Sequence, residues 1–190
     1  MSSTSRPSVH DNGLVVDPSV TFLLEAAAAG DTAALGEFVR RTEGRVRRAC
    51  AHLGPRGEAD DLTQETYLRA LTALGRFRSE SSAEVWLLAI ARNVCADHVR
   101  KKVTRSEIDQ RFRPGRPRVE HLGSGIESTD LLDRLDPSRR DAFVLTQLLD
   151  LSYEEAAEVC GCPVGTIRSR VARARSELIG MLNPAEDLTG

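Results

Sequence analysis

The chain has 190 residues, a formal net charge of −2 and a hydrophobic share of 41%, which is enough apolar material for packed cores and too much for a disordered polypeptide. Aromatic residues make up 4% while Ala, Leu, Arg and Glu abound, a balance that favours helices over strands. Near-neutral charge argues against a protein that holds duplex DNA unaided, because phosphate neutralisation supplies most non-specific affinity.

At this length the chain holds one ordinary domain or two small ones. Residues 1–17 lack the apolar core of a signal peptide and are expected to form a disordered arm. No apolar run reaches the ~18 residues of a membrane span, so no membrane insertion is expected. Residues 18–103 read as a first helical domain. Asp31, after Gly30, suits the N-cap of a helix through Ala34, Leu35, Phe38 and Val39 to about Leu53, which Gly54-Pro55-Arg56-Gly57 ends. The next helix carries Leu62, Tyr67, Leu68, Leu71 and Leu74. Another runs from about Ala83 to Val103; its early part (Val85, Trp86, Leu87, Leu88, Ile90) is apolar nearly all round, which predicts burial on more than one side.

Over residues 104–125 the periodicity fails. Pro114, Gly115, Pro117, Gly123 and Gly125 among charged residues read as a flexible linker, and ~20 residues is long for a loop inside one compact domain. A second helical domain spans 126–183, with 184–190 as a tail. The expected fold is therefore all-α, two small helical domains on a flexible linker.

In the second domain Asp136 precedes Pro137, an N-cap with proline at the first helical position. Ser152 and Glu155 form the ends of a capping box, and the helix they open stops at Gly161. Pro163 starts a longer helix. Helix, tight glycine turn and helix is the arrangement that lays a second helix in a DNA major groove. In that second helix Val164, Ile167, Val171, Ala174, Leu178 and Leu182 gather on one face. Thr166, Ser169 and Arg173 lie opposite, flanked by Arg168 and Arg170, and these hydroxyls and guanidiniums suit guanine edges and phosphates. A solvated charged face explains the same pattern, although carboxylates near enough in sequence to neutralise the arginines, among them Glu154, Glu155 and the more distant Glu177, are few.

Charge is segregated along the chain. Arg100, Lys101, Lys102 and Arg105 cluster mid-chain and Arg168, Arg170, Arg173 and Arg175 near the end, while Glu58, Asp60, Asp61 and Glu65 form an acidic patch. This suits local contacts to nucleic acid together with a protein partner. Cys50, Cys95, Cys160 and Cys162 sit in helical patterns; Cys160-x-Cys162 is too closely spaced for the usual zinc knuckle. Buried, reduced thiols in the cytosol are expected, with a redox or metal role, for Cys160 and Cys162 above all, as the alternative. No metal and no cofactor is expected. His10, His52, His98 and His121 are scattered, and no nucleophile–base pair or phosphate-binding glycine loop is recognisable, so an enzyme is not expected.

Two stretches go further. Asp60-Asp61-Leu62-Thr63-Gln64-Glu65-Thr66-Tyr67-Leu68-Arg69-Ala70, followed by Trp86-Leu87-Leu88-Ala89-Ile90-Ala91-Arg92-Asn93 and Asp97-His98-Val99-Arg100, resembles the second conserved region of bacterial sigma factors. Leu151-Ser152-Tyr153-Glu154-Glu155-Ala156-Ala157, continuing through Gly165-Thr166-Ile167-Arg168-Ser169-Arg170-Val171-Ala172-Arg173-Ala174-Arg175, resembles the fourth. With no large domain between them, the whole resembles the extracytoplasmic-function type, group 4 of the sigma-70 family. The Cys160-Gly161-Cys162-Pro163-Val164-Gly165 run and the Asp187-Leu188-Thr189-Gly190 ending are most similar to the sigma C group of mycobacteria and their relatives.

The resemblance implies a factor that binds core RNA polymerase and directs initiation at specific promoters. Asp60, Asp61, Leu62, Gln64, Glu65 and Leu68 would dock on the clamp of the largest polymerase subunit, and the second domain would meet the flap of the second-largest. Arg78, Ser79, Trp86, Arg92, Asn93, Asp97, Arg100 and Lys101 would read the −10 element, with the turn over 78–83 lining a pocket for a base flipped out of the strand. Trp86 equally suits a core position. Thr166, Arg168, Ser169, Arg170 and Arg173 would read the −35 element, and residues 105–125 would thread the polymerase cleft. An anti-sigma protein joins the candidate partners. The chain departs from the family at Ala83 and Glu84, where many relatives carry an aromatic and then a basic residue. The rival reading is a stand-alone helix-turn-helix regulator that binds its operator without polymerase.

Overall fold

The structure, a computed structural model, describes residues 18–79, 81–112 and 128–183. The expected N-terminal arm, much of the expected linker and the tail lie outside the described residues. Those that are described form helices and turns, with no strand among them.

Helix α1 (Pro18–Ala28) opens on a proline, whose fixed φ suits a first turn. It ends before Gly30, whose φ of 100° few side-chain-bearing residues adopt. Helix α2 (Thr32–Leu53) starts at the expected cap: the Asp31 carboxylate accepts from the amides of Ala33 and Ala34 at 2.9 and 3.0 Å. Its buried stripe runs Ala34, Phe38, Thr42, Val46, Ala49, Cys50 and Leu53 at helical spacing. Gly54 ends it because of a close approach: a Cβ there would fall 2.2 Å from the Leu62 side chain.

Helix α3 (Ala59–Ala73) buries Leu62, Thr63, Thr66 and Ala70 against α2. The buried hydroxyls satisfy themselves locally, Thr66 donating to the Leu62 carbonyl at 2.7 Å and Thr42 bonding the Tyr67 hydroxyl at 2.7 Å. Desolvation pushes the Tyr67 phenol up to about 12. One 3₁₀ turn (Leu74–Arg76) leads towards helix α4 (Ala83–Phe112). Ala83, Val85, Leu87, Leu88, Ala91, Val94 and Cys95 of α4 are all buried, which matches the apolar girdle read from the sequence.

The helix does not stop at Val103 as expected; it continues to Phe112. Residues 104–112 contain neither glycine nor proline, so the backbone has no reason to break until Pro114, which disfavours helix at the residue before it. The linker expectation therefore began too early.

The second block contains α5 (Ser128–Asp133), α6 (Pro137–Phe143), α7 (Tyr153–Cys160) and α8 (Val164–Leu182). Asp136 caps α6 through the Ser138 amide at 3.0 Å. A wide π turn (Val144–Leu148) follows, unforeseen in the sequence. The Ser152–Glu155 capping box forms in both directions, 3.1 and 2.8 Å. Gly161 is left-handed, φ 62°, and the Cys162 amide reaches back to the Ala157 carbonyl at 3.0 Å, the Schellman arrangement. Ile167, Val171 and Ala174 anchor α8, with Val164 and Leu178 half-buried, but Leu182 is 58% exposed, so the apolar seam ends a turn sooner than expected.

The two blocks are not apart. One apolar cluster runs from Val20 and Phe38 through Leu87 and Val94 to Leu145, Val159 and Ile167. Cys50 and Cys95 are buried in it; Cys160 and Cys162 are half-buried, with Cys162 in the turn and not in a helix, and all four are free thiols.

Changing Ser152 to Ala should cost about 1 kcal/mol, the usual worth of a hydroxyl N-cap. Gly161→Ala should cost a similar ~1 kcal/mol, since alanine resists φ above zero. Urea unfolding midpoints measure both; an unshifted midpoint for either contradicts the capping described.

Candidate nucleic-acid interface

Three exposed surfaces emerge, each set by which face of a helix the core claims. On α3 the core takes Leu62, Thr63, Thr66 and Ala70, leaving Asp60, Asp61, Gln64 and Leu68 exposed. Leu62 was expected to offer apolar area to a partner; at 0% exposure it offers none. The apolar area comes instead from Leu68 and Leu71, 54% and 44% exposed. Leu71 was missed, although its i, i+3 spacing from Leu68 was readable. These residues border a groove of about 410 Å³ between α2 and α3, with Val39, Arg47 and Tyr67 on its walls. At its lip Arg47 pairs with Asp60 at 2.6 Å and, by that hydrogen bond, holds its carboxyl below the usual range.

Glu65 belongs to a different arrangement. Arg69 bridges it at 2.8 Å to Asp97 of α4, also at 2.8 Å, and Asp97 bonds Arg100 in turn. Hydrogen bonds from Arg69 and Arg100 lower the Asp97 carboxyl. This chain of charges fixes the exposed strip of α4, where Asn93, Arg100 and Lys101 stand open to solvent beside half-buried Asp97. Trp86 is half-buried and meets Phe77 edge to face, ring centroids 5.3 Å apart; it has both a packed side and an open one. Arg78 and Ser79 are exposed in the turn before α4.

Arg92 is separated from this group. Its guanidinium points to the second block and bonds Asp141 of α6 at 2.7 Å, with side chains only 24% and 16% exposed. Burial, which Arg92 and Arg140 only partly offset, pushes the Asp141 carboxyl up. Around this pair the junction is dense. Arg45 bonds both Glu84, at 2.9 Å, and the Leu149 carbonyl, at 2.7 Å. Arg140 donates to the His52 carbonyl at 2.7 Å and pairs with Asp133, which also takes Arg56. Glu84, where the sequence departs from the pattern that the resemblance implies, thus has a structural partner. The His52 Nδ1 atom is buried without a hydrogen bond, and desolvation lowers its pKa.

On α8, Arg168, Ser169 and Arg173 are exposed, and Thr166 and Arg170 half-buried. Ser169 donates to the Thr166 carbonyl at 2.9 Å, and Arg170 leans back over the turn, 3.6 Å from the Cys162 sulfur. Glu177 turns away from the other α8 arginines and pairs with Arg139 of α6. Glu177 is thus engaged by α6 and Glu155 by the Ser152 amide, while Arg168 and Arg173 stay exposed on α8.

The blocks' contact makes a prediction. Asp141→Ala leaves Arg92 half-buried without its anion, a costly state, so the blocks should part more readily. Small-angle X-ray scattering should record a larger radius of gyration; an unchanged radius contradicts the pairing as a tie between blocks.

Comparison with known proteins agrees with this geometry. Residues 38–105 match the family profile for Sigma-70 region 2, and 129–178 that for Sigma-70, region 4. The chain is 49% identical to the ECF RNA polymerase sigma factor SigC of Mycobacterium tuberculosis over 184 residues, 92% of this chain and 96% of that protein. It is 32% identical to the ECF RNA polymerase sigma-E factor of Escherichia coli over 178 residues, 85% and 93% of the two chains. Among solved structures, CnrH in complex with the cytosolic domain of CnrY matches with a TM-score of 0.69 and 28% identity, covering 88% of this chain and 99% of that one. RpoE in complex with the anti-sigma factor NepR from Bartonella quintana matches at 0.64 and 27%, covering 80% and 98%. An exposed acidic face on the first block, an arginine-bearing helix-turn-helix on the second, and two family regions in that order lead to one conclusion: the chain belongs to the extracytoplasmic-function sigma factors of the sigma-70 family.

Proposed function

We propose that this sigma factor divides its work between the two blocks. The exposed face of α3, with Asp60, Asp61, Gln64, Leu68 and Leu71, docks on the clamp of core RNA polymerase. Asn93, Arg100, Lys101 and the open side of Trp86, with the turn carrying Arg78 and Ser79, read the −10 element. Arg168, Ser169 and Arg173 of α8 read the −35 element, and Thr166 and Arg170 line the edge of that surface. The observation that carries this reading is the segregation of exposed carboxylates and leucines on one helix from exposed guanidiniums on another. Apolar area ringed by charge suits a protein partner, whereas guanidiniums and hydroxyls on a helix flank suit base edges and phosphates.

In the packed arrangement Arg92 is engaged by Asp141 while the faces of α3 and α8 stay open. Capture by polymerase through α3 therefore precedes any −10 contact by Arg92, which requires the blocks to part. Once both blocks sit on polymerase, the second DNA contact becomes effectively intramolecular. The solved relative from Bartonella quintana, bound to an anti-sigma factor, favours a protein of that kind as a further partner.

Run-off transcription with core polymerase tests the reading. Asp61→Lys reverses a charge at the docking face and should weaken core binding and lower transcript yield while leaving urea unfolding unchanged; undiminished core affinity refutes the face. Arg173→Ala should weaken −35 recognition by roughly 1–3 kcal/mol if it reads a base. An unchanged ranking of −35 variants refutes that role.

A further inference from the structure

Helix α1 lies outside the stretch that matches Sigma-70 region 2, which begins at residue 38, yet it grips the turn before α4 at two points. Ser79 adopts φ 54°, a left-handed conformation unfavourable for a residue with a side chain. It persists only where its surroundings hold it. The hold comes from α1: the Ser79 hydroxyl donates to Glu25 Oε1 at 2.5 Å. At the other end of the turn, the Ala83 amide is one of the first-turn donors that an α-helix leaves unpaired. It donates to Thr21 Oγ1 at 3.2 Å. Ser82 then caps the helix by accepting from the Val85 amide at 3.2 Å.

Thr21 and Glu25 are one helical turn apart and so share a face of α1. That face cannot drift, because Val20 and Leu24 on the adjoining side are buried in the core, 4% and 1% exposed. Arg78, exposed next to the Ser79 tether, lies beside Phe77, whose ring meets Trp86 near the start of α4.

We propose that Thr21 and Glu25 are positioning residues for −10 recognition: by holding Ser79 and Ala83, they place Arg78, Ser79 and the start of α4 where promoter DNA is received. The inference rests on the reading of that turn as a −10 surface, and the experiment separates the two. The full chain with core polymerase is assayed by run-off transcription on a panel of templates differing only in the −10 element. Thr21→Val and Glu25→Ala, which remove the acceptors, should narrow the spread of yields across the panel by about fivefold, the equivalent of one net hydrogen bond. Thr21→Ser and Glu25→Gln keep an acceptor oxygen and should restore the spread. Core affinity and the ranking of −35 variants should not move. Arg78→Ala serves as the reference for the turn itself. If Arg78→Ala alters −10 ranking while Thr21→Val and Glu25→Ala do not, the positioning role is overturned and the turn's role stands. If none of the three alters it, both fall. Loss of yield in equal proportion on every template, with a lowered unfolding midpoint, assigns α1 a structural role only and also overturns the proposal.

Discussion

Burial of α4 from two directions is the constraint from which the rest follows. One side packs Leu87, Leu88, Ala91, Val94 and Cys95 into the first block, and another carries Arg92 into the second. What remains is a strip bearing Asn93, Asp97 and Arg100, held in place through Arg69 and Glu65 of α3. A helix so committed has little freedom in which residues it shows to solvent. The surface that α4 shows to solvent is whatever two cores leave over.

Charge then sorts the surfaces. Ion pairs at the junction, Arg45–Glu84 and Arg92–Asp141, are sheltered, so they resist salt better than exposed ones. Pairs at the rim, such as Arg47–Asp60 with side chains 61% and 78% exposed, contribute little to stability. The same residue types thus serve as sheltered ties inside and as open charges outside, and burial decides which. Near-neutral net charge fits a factor whose grip on DNA is lent by the enzyme it joins.

Much of this was legible beforehand because it is local. The Asp31 and Asp136 caps, the Ser152–Glu155 box and the helix stop at Gly161 are encoded within four residues of where they act, and all form as expected. The girdle of α4 and the seam of α8 follow from periodicity. What escaped depends on residues far apart in the chain. Arg92 and Asp141 are separated by 49 positions and Arg45 and Leu149 by 104, so no spacing rule pairs them. Leu62 and Leu68 look alike in the sequence; only the position of α2 sends one inward and leaves the other exposed. Residues 104–112 were misjudged for the opposite reason: charge was weighed above the absence of any helix breaker.

Under the proposed division of labour, neither block finds its promoter element efficiently until polymerase holds both. Footprinting of one promoter by the chain alone, by core polymerase alone and by the two together measures it directly. Protection at −10 and −35 is expected only in the combined sample. Protection of both elements by the chain alone, at similar concentration, would contradict it and return the helix-turn-helix to the role of an independent regulator.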